Sequence, residues 1–136
     1  MSLFTDRKPR NGVCSTPDVM RILVIEDNLD LRDYLRLALE TQGYDVLTAR
    51  NGHEAISYLN GHRVDVVLTD LFMPEMDGIE TIATLRKTFP QVRVIAMSGR
   101  PGVDYLAVAR ELGVNKTLRK PFDIEELLTA ITDGFQ

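Results

Sequence analysis

The chain has 136 residues, the size of one domain, and at that length roughly two thirds of the unfolded surface can be buried in a core. Apolar residues make up 44% and charged residues 26%, with a net charge of −4, an ordinary globular balance that argues against a general nucleic-acid surface. A single cysteine, Cys14, excludes an intrachain disulfide, and no apolar run approaches the ~18 residues of a membrane span, so a cytoplasmic protein is expected.

Residues 1–20 hold Pro9, Asn11-Gly12, Ser15, Thr16 and Pro17 without periodicity, and read as a flexible N-terminal arm. The arm is polar and basic, without the apolar stretch of a secretory signal. From Arg21 the chain alternates regularly. The continuous apolar run Arg21–Glu26 predicts a strand, and Leu31, Leu35, Ala38 and Leu39 then mark one face of a helix over 29–42, stopped at Gly43. A short strand is expected over 44–48 and a helix over 51–60, stopped at Gly61. A buried strand follows over 64–69, then a helix over 78–88 ended before Pro90. A strand over 92–97, a helix over 104–112 with Gly113 as its stop, and a short strand over 116–118 come next. The last helix runs over 123–132, with Asp123 as N-cap and Glu126 as its capping-box partner.

These are five β/α units. Apolar runs without alternation belong to strands covered on both faces, and right-handed crossovers put helices on both sides of a parallel sheet. The expected architecture is a single doubly wound α/β domain over residues 21–136.

Three of the strands run into charged residues at their C-terminal ends: Glu26-Asp27, Asp70, and Lys120-Pro121. In an open parallel sheet those ends form the crevice where ligands bind. If the three strands are neighbours, three carboxylates and one ammonium share a pocket. Two like charges ~4 Å apart repel by about 4 kcal/mol at an effective dielectric of ~20. Such a cluster stands only if a cation neutralises it or a pKa rises. An all-oxygen set without His or Cys favours Mg2+, Mn2+ or Ca2+ over Zn2+. Lys120 suits a counter-ion and phosphate ligand, and Ser98, at the end of the fourth strand, can donate to a phosphoryl oxygen. The bland alternatives are a capping aspartate, a solvated acidic turn, a solvated lysine and a turn-capping serine.

The segment from Arg21 to Gln136 resembles the receiver domain of bacterial two-component response regulators, the CheY-like family. The resemblance rests on Val-Ile-Glu-Asp-Asn (24–28), Leu-Thr-Asp-Leu-Phe-Met-Pro-Glu-Met-Asp-Gly (68–78), Ala-Met-Ser-Gly (96–99) and Lys-Pro-Phe (120–122). It implies a flavodoxin-like five-stranded sheet in the order 2-1-3-4-5. It further implies Asp70 as phosphoacceptor, and Mg2+ held by Glu26, Asp27, Asp70 and the backbone carbonyl of Phe72. Ser98 would be the switch hydroxyl and Lys120 the partner of the phosphoryl group, with a cis peptide before Pro121. The phosphodonor would be a histidine kinase, a phosphotransfer protein or a small phosphodonor. Output would come through an unknown protein target, with no direct DNA binding.

Two positions depart from that family. Thr117 stands three before the lysine, where an aromatic is usual, so the usual coupling of hydroxyl and ring has no ring. Phe72 stands two past Asp70, where a polar residue often places an attacking water, and Arg100 lies two past Ser98. The remaining readings are a receiver fragment of a larger regulator or hybrid kinase, an aspartate-nucleophile phosphohydrolase, and a flavin module. The hydrolase reading wants a second carboxylate at position 72, and the flavin reading a Ser/Thr/Gly-rich loop after the first strand. Neither is present.

Overall fold

A computed structural model of the chain describes residues 19–71, 78–99 and 105–133. The elements are β1 (Arg21–Ile25), α1 (Leu29–Thr41), β2 (Asp45–Ala49), α2 (Gly52–Gly61), β3 (Val66–Asp70), α3 (Gly78–Thr88), β4 (Arg93–Ser98), α4 (Tyr105–Glu111), β5 (Lys116–Arg119) and α5 (Ile124–Thr132). All neighbouring strands are parallel, in the order β2-β1-β3-β4-β5, as expected. The segment 1–18, most of the arm read from the sequence, lies outside the described residues.

The sheet is apolar on both faces because successive side chains point to opposite sides. Ile22, Val24, Val66, Leu68, Ile95, Met97 and Leu118 face Leu35 and Leu39 of α1 and Leu127, Ala130 and Ile131 of α5. Leu23, Ile25, Val67, Val94 and Ala96 face Ala55 and Leu59 of α2, Ile82 and Leu85 of α3, and Leu106 and Ala109 of α4. Each fully buried Leu, Ile or Val is worth roughly 1.5–3 kcal/mol against exposure, so these two layers carry the fold. No helix among the described residues is long and apolar enough to cross a membrane.

Local chemistry sets the element ends. The side chains of Asn28 and Asn51 cap α1 and α2, each accepting a backbone N–H three residues on, at 2.9 Å. Asp123 and Glu126 form the expected capping box on α5. Gly43 and Gly113 take positive φ values of 94° and 95°, which a side chain would resist, and so end α1 and α4. Gly61 behaves differently from the expectation. It is the last helical residue of α2, and the chain leaves through His62 in extended conformation. β3 also starts two residues later than expected. There the Asp65 carboxylate accepts the Arg21 backbone N–H at 2.8 Å, while the Asp65 N–H donates to the Arg21 carbonyl at 2.9 Å.

The start of α3 packs directly on the end of β3. A Cβ at Gly78 would fall within 3.0 Å of the Asp70 carbonyl oxygen and the Leu71 Cα, both backbone atoms that have no room to yield. The Gly78 N–H also donates to the Leu71 carbonyl at 3.1 Å. Gly78→Ala should therefore destabilise the domain by about 1–3 kcal/mol. Gly61→Ala, with nothing within 4 Å, should instead stabilise it by about 0.5–1 kcal/mol. Urea unfolding of the two variants beside the parent checks the opposite signs.

Candidate functional site

β3 is the central strand, flanked by β1 and β4, so its last residue, Asp70, stands in the middle of the C-terminal edge of the sheet. Main-chain bonds beyond the strands hold that edge. The Glu26 N–H donates to the Ala49 carbonyl at 3.0 Å, Leu71 to Met97 at 3.0 Å, and Lys120 to Ser98 at 2.9 Å. Three loops are thereby fixed at one end of the sheet.

The residues singled out in the sequence meet there. One carboxylate oxygen from each of Glu26, Asp27 and Asp70 lies within 4.8 Å of the others. Glu26 and Asp70 are buried and Asp27 is exposed. Lys120 Nζ donates to Glu26 Oε1 at 3.2 Å and to Asp70 Oδ2 at 3.3 Å. One ammonium thus bridges two acids that come from different strands. Ser98 is buried at the end of β4, one residue past the partner of Asp70 in the ladder. The Lys120–Pro121 peptide is cis, as the resemblance implied.

The electrostatics carry the mark of this crowding. Burial, and then the charge of Asp70, push the Glu26 carboxyl up to about 7, against the lowering pull of Lys120. The donor set is all carboxylate oxygen, converging from β1 and β3, and suits a hard divalent cation.

Two expected participants fall outside the description. Phe72, whose carbonyl was to complete a cation site, and Arg100 both lie beyond the described residues. Thr117 faces α4, and its hydroxyl accepts a hydrogen bond from Arg110 Nη1 at 3.3 Å.

The sequence reading named Gly99 only within the Ala-Met-Ser-Gly run, not for its contact with Lys120, and it missed Arg32 altogether. Gly99 passes so close to Lys120 that a Cβ there would lie 2.9 Å from the lysine Cβ, so this glycine sets where the lysine stem runs. Arg32, in the first turns of α1, donates from Nη1 to the Glu26 carbonyl at 3.0 Å. A cation near a helix N-terminus runs against the helix dipole, and that misfit was the available signal.

The geometry can be set beside known proteins. The family model for the response regulator receiver domain matches residues 22–132. The chain is similar to the response regulator MprA of Mycolicibacterium vanbaalenii, with 36% identity over 109 residues, 80% of this chain and 47% of that protein. It is also similar to the transcriptional regulatory protein GlrR of Escherichia coli, 36% identical over 115 residues, 85% of this chain and 26% of that one. The chain thus spans about half the length, or a quarter, of these curated relatives. Among solved structures, a response regulator receiver domain protein from Clostridium thermocellum aligns with a TM-score of 0.80 and 31% identity, covering 85% of this chain and 93% of that one. The chemotaxis protein CheY4 of Vibrio cholerae aligns at 0.78 and 26% identity, covering 85% and 98%. With the family model matching most of the chain and the sheet order expected of such a fold, the chain belongs to the response regulator receiver domain family.

Proposed function

We propose that this receiver takes a phosphoryl group on Asp70 and acts as a switch by binding other proteins. The observation that supports it most is the bridge from Lys120 to both Glu26 and Asp70 inside a cluster of three acids. A buried aspartate at the centre of the edge is held still, with an ammonium beside it.

In this reading an Asp70 carboxylate oxygen attacks the phosphorus of a phosphohistidine on a histidine kinase or phosphotransfer protein, or of a small phosphodonor. With phosphohistidine the new P–O bond forms as the P–N bond breaks and the departing imidazole takes up a proton; with a small phosphodonor the bond from phosphorus to its own leaving group breaks instead, and that group departs with the electron pair. Glu26, Asp27 and Asp70, with the Phe72 carbonyl, would hold Mg2+, or Mn2+ in its place. Bound there, the ion neutralises charge on the phosphoryl oxygens. Lys120 moves its donor bonds from the carboxylates to the phosphoryl group. The Ser98 hydroxyl, at the end of the neighbouring strand, donates to a second phosphoryl oxygen. An apolar groove of about 420 Å3 beside Lys120, lined by Leu31, Tyr34, Leu35, Gly99, Pro121 and Phe122, supports a protein as the donor.

Three outcomes are expected. Asp70→Asn is nearly isosteric and removes one negative charge from the cluster. It should abolish the phosphorylated band on Phos-tag gels after treatment with a small phosphodonor. Stability in EDTA should be equal or higher. A retained band would assign the acceptor elsewhere.

In EDTA, Glu26 binds a proton in the folded state up to about pH 7, but in the unfolded chain only up to its ordinary value of 4.5. Between those two pH values the folded state holds more protons, so stability must fall as pH rises, by on the order of 2–3 kcal/mol. Glu26→Gln should flatten that slope. Mg2+ should offset it, adding about 1.4 kcal/mol at ten times its Kd, an increment that Asp27→Ala removes. Melting temperatures across pH 4.5–7, with EDTA and with Mg2+, read all of these.

The third outcome concerns output. Phosphorylation adds roughly −1.5 to −2 charges at Asp70, and some element with two arrangements must report it. With Thr117 on β5 there is no ring to turn inward, so the response should centre on Ser98, Gly99, the segment after them and α4, with little change at Thr117. Amide shifts with and without beryllofluoride test this. Changes confined to Thr117 and Phe122, with α4 silent, would place the output elsewhere.

A further inference from the structure

We propose that Arg32 is a positioning residue for the cation site: its guanidinium holds the main chain at Glu26 so that Glu26 and Asp27 both turn toward Asp70. The inference rests on the cation reading of the cluster given above.

Adjacent side chains of an extended chain point to opposite faces. Glu26 and Asp27 are adjacent, and β1 ends just before them. Yet an oxygen of each lies within 4.8 Å of the other and of Asp70. The chain must therefore turn at once on leaving the strand, and something must hold the turn. Beside the bonds of Glu26 to the Ala49 carbonyl and to Lys120 already described, three hydrogen bonds run within the turn itself. The Asn28 N–H donates to Glu26 Oε2 at 3.2 Å. The Arg32 N–H donates to the Asn28 carbonyl at 2.9 Å. Arg32 Nη1 then donates to the Glu26 carbonyl at 3.0 Å. The bond to Asn28 is the ordinary first bond of α1, and the guanidinium adds the tie from that first turn back to the Glu26 carbonyl.

Although the carboxylates attract it, the charge of Arg32 works against two other features of the site. A cation near the start of α1 opposes the helix dipole. A cation beside a metal site also repels the metal. If Arg32 acted through its charge alone, removing it would tighten metal binding. If it acts by holding the turn, removing it loosens the carboxylates and weakens binding. The sign of the change separates the two.

The experiment titrates Mg2+ into the full chain, following amide shifts and calorimetric heats, for the parent, Arg32→Met, Arg32→Lys and Asp27→Ala. Arg32→Met keeps the apolar stem and loses donor and charge. It should weaken Mg2+ at least tenfold, the range found when a partner of a metal ligand is removed. Arg32→Lys, which keeps the charge and one flexible donor, should fall between Met and the parent. Melting temperatures in EDTA run alongside. A lower melting temperature with unchanged or tighter Mg2+ binding in Arg32→Met makes Arg32 purely structural and overturns the proposal, while loss of binding in Asp27→Ala leaves the cation site standing. Failure of the parent to bind Mg2+ overturns the cation site and this inference with it. Should Arg32→Met not fold, Arg32→Lys decides: binding equal to the parent's overturns the positioning role.

Discussion

The constraint on which this structure turns is the mutual repulsion of Glu26 and Asp70. Both are buried at the edge of an apolar sheet, where water screens them poorly. Left alone, they would force protonation or open the loops. One ammonium, Lys120, reaches both carboxylates across the edge of β4. It reduces the strain without removing it, and burial first, then the charge of Asp70, still hold the Glu26 carboxyl above its ordinary range.

The scaffold answers to that constraint. A parallel sheet brings all strand ends to one side, and the order β2-β1-β3-β4-β5 puts the acid-bearing strands next to each other. Helices on both faces lock the strands in register, while Gly78 and Gly99 let α3 and the Lys120 stem approach to distances no side chain would allow. The position of the chemistry thus follows from backbone contacts, and the side chains that carry it are short or tethered.

Much of this was legible in the sequence because the strong signals are local. Continuous apolar runs ending in Asp70 or Glu26 report buried strands and their C-terminal ends directly. Gly43, Gly113 and the Asp123–Glu126 pair act on their own backbone and were read correctly. What escaped depends on partners distant in the chain. The carboxylate of Asp65 accepts the amide of Arg21, 44 residues away, a contact just ahead of β3 that no local pattern announces. The grip of Arg32 on Glu26 exists only once the chain has turned. Gly61 was misread because a glycine after an apolar stripe resembles a stop whether or not the fold uses its freedom; here it does not.

The two apolar layers share no residue: one lies between the sheet and α1 with α5, the other between the sheet and α2, α3 and α4. The sheet is a septum between two separate cores. Energetic coupling between substitutions decays when they share no partner, so changes made on opposite sides should combine additively, whereas changes within one layer should not. The receiver can therefore drift on one side, revising α1 and α5, without renegotiating the packing of α2 to α4, and the acid cluster at the end of the sheet is what both sides must keep.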